Sequence, residues 1–191
     1  MELKHINNCA DYFGYGLIRS SIVAESFSLD KNENIDVSLV SKYIELNSKK
    51  TYVYLITSRT FQYPLTTKDK YWGFWDRIKK EYKLQIFKSN EKRIEKDRFC
   101  VCVGIAEIPK YQIELALNLL HVDFMHSFII LSNDLLNIEQ YLEHIIELCD
   151  KSKDYSVDFG YIINLECYDN EVVTFIEGND GCTVNYFYLE L

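Results

Sequence analysis

The chain has 191 residues, of which 48% are hydrophobic and 26% charged, and its formal net charge is −8. That length and apolar content suffice for a buried core, and the charged fraction is ordinary for a globular chain, which excludes wholesale disorder. Two Pro and seven Gly leave little material for a long flexible linker, so one domain over residues 1–191 is expected.

Residues Met1 to Asn8 carry no apolar stretch of the kind a secretory leader needs. No run of about 18 apolar residues is present to span a membrane as a helix. The six cysteines are Cys9, Cys100, Cys102, Cys149, Cys167 and Cys182. In a chain of this length without a leader they read as reduced core residues, not as a disulfide framework. A cytoplasmic protein is expected.

The first elements are the least regular. Leu17 to Ser28 suits a strand or a short helix, and Ser28 to Asn34 reads as a loop. Asp36 is placed to cap a helix with Val37, Val40, Tyr43 and Ile44 on its apolar face. Thr51 to Thr57, β-branched and aromatic, predicts a strand. Tyr71, Trp75, Ile78 and Tyr82 recur at helical spacing within Lys68–Tyr82. A short strand at Leu84 to Phe87 follows, then a charged stretch, Ser89 to Arg98, read as a loop or an exposed helix. Phe99 to Ala106 predicts a buried strand. Pro109 suits the first turn of a helix to about Leu120, with Ile113, Leu117 and Leu120 inward. Phe128 to Leu131 predicts a strand. Asn133 or Asp134 would cap a helix to about Asp150, with Leu135, Ile138, Leu142, Ile145 and Cys149 inward.

Three strands are expected near the C-terminus, at Val157–Cys167, Val172–Ile176 and Thr183–Leu189, joined by short hairpin turns at Asp169-Asn170 and Gly178–Gly181. The fold class predicted is α+β. One mixed sheet carries a C-terminal antiparallel meander, packs against three or four helices, and has room for parallel pairs in its middle.

Charge is unevenly spread. Residues 1–60 are neutral, residues 61–110 carry +5, and residues 111–191 carry −13. The Asp134–Asp150 helix concentrates the acidity, because Glu139, Glu143 and Glu147 follow one another at four-residue spacing. Like charges at that spacing cost about 0.2–0.5 kcal/mol per pair. No Lys or Arg precedes Lys151 in that helix to offset them. The stripe is either a solvated face, one paired with the basic block inside the fold, or a docking face for a basic molecule.

The basic block mixes Lys68, Lys70, Arg77, Lys79 and Lys80 with Tyr71, Trp72, Phe74 and Trp75. Such a mixture can bind nucleic acid, but Tyr71 and Trp75 fall on the helical stripe and the whole chain is acidic, so no nucleic-acid partner is expected. His121, Asp123 and His126 are three possible metal ligands within six residues, yet as a helix end followed by a strand they do not converge. Cys100 and Cys102 share one face of a strand and lack a second short-spaced pair that would complete a zinc site. No Gly-rich phosphate loop is present. No cofactor and no metal are expected, and an enzyme is disfavoured.

The reading that results is a non-enzymatic acidic protein that docks on and neutralises a basic protein partner. Bacterial immunity proteins that inhibit nuclease-type toxins fit by charge logic. The expected docking residues are Glu139, Glu143, Glu147, Asp150 and Asp154, with Tyr141 and Tyr155 as aromatic anchors. Two alternatives are a small hydrolase or transferase using His121, Asp123, His126 or a buried Cys, and a structural subunit that pairs through Tyr186–Leu189 at a sheet edge.

Overall fold

The computed structural model describes residues 2–6, 22–28, 37–47, 50–62, 74–95, 99–119, 125–151, 173–177 and 183–189. Eight strands are described: β1 (Glu2–Ile6), β2 (Ile22–Ser28), β3 (Tyr52–Gln62), β4 (Lys88–Glu95), β5 (Phe99–Ile108), β6 (Met125–Ser132), β7 (Val173–Glu177) and β8 (Thr183–Leu189). Four helices accompany them: α1 (Val37–Asn47), α2 (Phe74–Tyr82), α3 (Ile113–Leu119) and α4 (Ile138–Lys151). A single 3-10 turn, Lys110–Gln112, leads into α3 directly after Pro109. The content is α+β, as expected. No helix among the described residues is long and apolar enough to cross a membrane.

The strands form one sheet in the order β1-β2-β8-β7-β6-β3-β5-β4. Every pairing among them is antiparallel. The parallel pairs allowed for the middle of the chain are therefore not found among the described strands. The reason lies in the connection β5–α3–β6. It does join two strands that run in the same direction, but β3 sits between them and pairs antiparallel with both.

The core sits on β3, β5 and β6. Val53 to Ile56 of β3, Val101, Val103, Ile105 and Ala106 of β5, and Ile129 to Leu131 of β6 are all buried. A strand with neighbours on both sides and cover on both faces has no wet positions, so these segments are apolar almost without interruption.

Strand β4 corrects the expectation for residues 89–95, while residues 96–98 lie outside the described residues. The segment is neither loop nor helix but the edge of the sheet, hydrogen-bonded to β5 from Lys88↔Glu107 to Glu95↔Cys100. An edge strand is protected from pairing with other chains by charge, so β4 carries Lys88, Glu91, Lys92, Arg93 and Glu95 where a central strand would carry Val and Ile. Leu84 to Phe87 is not a strand but an irregular connection. Lys83, just past α2, takes φ 54°, the left-handed conformation that ends helices.

Strand β8 corrects a second expectation. Tyr186–Leu189 does not lie at an edge, because β8 is paired with β2 on one side and β7 on the other. The strand expected at 157–167 and the turn at 169–170 lie outside the described residues.

Candidate functional site: the outer face of helix α4

Helix α4 begins later than the sequence implied. Asn137, not Asn133 or Asp134, is its cap: the Asn137 side-chain oxygen accepts from the backbone N–H of Glu139 at 3.2 Å and of Gln140 at 3.4 Å. The segment before it is held by other bonds. Asp134 N–H donates to Ser132 Oγ at 3.0 Å, and Leu136 N–H donates to the Tyr54 hydroxyl at 2.9 Å. Leu135, expected inward, is consequently exposed, since it precedes the helix and does not follow its periodicity. The Tyr54 hydroxyl has its pKa raised by burial, opposed by that bond from Leu136.

From Ile138 onward the stripe is regular. Ile138, Leu142, Ile145 and Ile146 are buried against the sheet, while Glu139, Glu143 and Glu147 are exposed. The helix lies over β4 and β5. In the sheet register Lys92 stands opposite Val103, so the two side chains share the face that α4 covers.

The three glutamates have different surroundings. Glu139 occupies the first turn, where a carboxylate faces the positive end of the helix dipole and is stabilised by about 0.3–1 kcal/mol. Glu143 is answered from inside the fold: Lys92 Nζ donates to both its carboxylate oxygens, at 2.7 and 2.6 Å. This lysine comes from the basic 61–110 block, and it went unnoticed in the sequence because its segment read as a loop or helix. Both partners are exposed, so the pair contributes only about 0–1 kcal/mol and is open to displacement. Glu147, in the second half of the helix, has no ion pair with any described residue.

Tyr141 is half-buried, and its ring is tilted 57° against that of His144 with centroids 6.4 Å apart. Asp150 belongs to the last turn of α4. Asp154 and Tyr155 lie outside the described residues.

The remaining candidates do not gather into a second site. His121 and Asp123 lie outside the described residues, and His126 stands opposite Ser58 in the β3–β6 register. Among the described residues no three His, Cys, Asp or Glu are grouped as a metal would need. Cys100 and Cys102 are free and buried on one face of β5. Burial pushes the Cys102 thiol up to about 12, with the Glu91 carboxylate adding to the shift and Arg93 opposing it. Cys100 is raised for the same leading reason, burial. Thiols held protonated in this way are poor nucleophiles.

Helix α2 is committed to the fold. Trp75 is buried, its indole N–H donates to the Asn90 carbonyl at 2.9 Å, and its backbone N–H donates to Glu91 Oε2 at 3.2 Å. Arg77 is paired with Glu81 at 2.7 Å. The aromatic that a nucleic-acid surface would use for stacking is thus part of the β4 edge. No protein-family model matches the sequence, and no characterised protein or solved structure is significantly similar to it.

Proposed function

We propose that the protein is a non-enzymatic binding protein whose α4 outer face docks on a basic protein and neutralises it. A nuclease-type toxin held by an immunity protein in the cytoplasm is the type of pair that this chemistry suits. The observation that carries the reading is the exposed Glu139–Glu143–Glu147 stripe, set within a C-terminal portion of net charge −13 and met by one described cation, Lys92.

The mechanism has two parts. The field of the acidic portion raises the encounter rate of a cationic partner, and the steering weakens as salt screens it beyond about 10 Å. Contact then places a partner cation against Glu147 and Glu139. At Glu143 the incoming group competes with Lys92 for the carboxylate, an exchange that costs little because the internal pair is solvated.

Affinity capture with the intact protein, followed by mass spectrometry, tests the reading when paired with a Glu139→Lys/Glu147→Lys variant as bait. The expected result is a basic protein retained by the wild type, eluted by salt and lost from the variant. Retention of the same protein by both baits would refute the placement of the site.

A further inference from the structure

The connection from β6 to α4 contains a second helix start that the chain does not use. Asp134 is as good a cap by residue type as Asn137. At about 3.6 residues per turn, Leu135 falls in angle between Leu142 and Ile146, inside the buried arc of α4. A helix begun after Asp134 would therefore turn Leu135 towards the sheet. As the chain stands, Leu135 precedes the helix and is 65% exposed.

The hydrogen bonds of the two starts can be compared one by one. Asp134 N–H donates to Ser132 Oγ at 3.0 Å. As a cap Asp134 would stay outside the longer helix, so this bond serves both starts. Tyr141 N–H donates to the Asn137 carbonyl at 2.9 Å, which is a backbone bond of either helix. The N–H groups of Glu139 and Gln140 now reach the Asn137 side chain. In the longer helix they would reach the carbonyls of Leu135 and Leu136. The Leu136 N–H now reaches the Tyr54 hydroxyl at 2.9 Å. In the longer helix it would reach the Asp134 carboxylate. None of these donors is lost in the exchange and one leucine side chain leaves water, so this segment by itself favours the longer helix.

What opposes it is the other end of the Tyr54 bond. Tyr54 is fully buried. Withdrawing the Leu136 N–H would take that donor from a hydroxyl held in the core, and a buried polar group deprived of its partner is costly. A phenylalanine at this position has no hydroxyl to satisfy, and it leaves the Leu136 N–H to find another acceptor. The nearest in sequence is the Asp134 carboxylate.

We infer that the Tyr54 hydroxyl is a latch that holds α4 at its shorter start, and that without it α4 begins after Asp134 with Leu135 turned inward. The change reaches the acidic face, because Asp134 then takes the positive end of the helix dipole and Glu139 leaves the first turn. The inference concerns the start of the helix and does not rest on the docking function proposed for that face.

Backbone-assigned NMR of the full chain tests it through the Cα chemical shifts of residues 134–138. In the wild type Leu135, Leu136 and Asn137 should have non-helical values. In Tyr54→Phe they should move downfield to helical values, and Tyr54→Phe/Asp134→Ala should return them, since the alternative cap is gone. Asn137→Ala replaces an exposed side chain and leaves the latch in place, so Leu135 and Leu136 should stay non-helical. This variant tests the latch even if Tyr54→Phe does not fold; unchanged shifts along β5 and β6 identify a folded variant. Helical values in the wild type, no downfield movement in folded Tyr54→Phe, a movement that survives Asp134→Ala, or helical values at Leu135 and Leu136 in Asn137→Ala would each overturn the inference.

Discussion

Strands β4 and β5 are hydrogen-bonded neighbours over eight residue pairs and share almost no composition. Strand β5 reads Phe-Cys-Val-Cys-Val-Gly-Ile-Ala-Glu-Ile and is buried along almost its whole length, while β4 reads Lys-Ser-Asn-Glu-Lys-Arg-Ile-Glu and is at most half-buried. The difference comes from position. With β3 on its far side, β5 has a neighbour on both flanks; β4 has a neighbour on one. An inner strand is selected for packing and an edge strand for avoiding further pairing. The same edge supplies the lysine that answers Glu143, so the border of the core is also the border of the acidic face.

Substitutions on the two strands should separate these roles. The largest effect is expected from Ile105→Ala on β5, whose side chain is fully buried. It should cost about 2–5 kcal/mol in urea unfolding, whereas Ile94→Ala on β4 should cost no more than about 2 kcal/mol. Equal losses would break the distinction between the strands. Next comes Trp75→Phe, which removes the indole bond to the Asn90 carbonyl. A loss of about 1–2 kcal/mol is expected, with a greater tendency to aggregate as the β4 edge is uncovered, measurable by light scattering during unfolding.

The thiols of β5 give a test by pH. Cys102 has a folded-state pKa pushed from 9.0 up to about 12. Below pH 9 the thiol is neutral in both states and the stability is at its full value. Above pH 9 the unfolded chain loses that proton and the folded chain retains it, so stability falls as pH rises towards 12. Unfolding midpoints measured across this window should decline, and Cys102→Ala should flatten part of the slope. In the native protein at neutral pH a thiol reagent should leave Cys102 unmodified until denaturant is added. The smallest effect belongs to Lys92→Gln. Loss of an exposed pair should change stability by less than about 1 kcal/mol and remove only a little salt dependence.

Legibility in the sequence followed the same division. Strands β3, β5 and β6 were visible as β-branched or apolar runs, and the buried stripe Ile138, Leu142 and Ile145 of α4 was visible in its spacing. Strand β4 was hidden, because charge on an edge strand looks like charge on a loop or a solvated helix until the neighbour is known. The start of α4 was misplaced because Asn133, Asp134 and Asn137 are equally good caps by residue type; the bond from Leu136 to Tyr54, distant in sequence, decides among them. The antiparallel middle was hidden for a related reason, since a helix between two strands suggests a parallel pair unless a third strand is inserted. Of the site, the exposed glutamates were legible from helical spacing alone. That Glu143 has a lysine on both oxygens was not, since the partner lies 51 residues away on that unrecognised edge.

The central claim, that the α4 outer face docks a basic protein, is tested most directly by the association rate of the captured partner, measured against ionic strength. For the wild type the rate should fall steeply with salt. For Glu139→Lys/Glu147→Lys it should be lower by roughly tenfold or more at low salt and fall less steeply with salt. A partner that associates with both proteins at the same rate, whatever the ionic strength, would contradict the account.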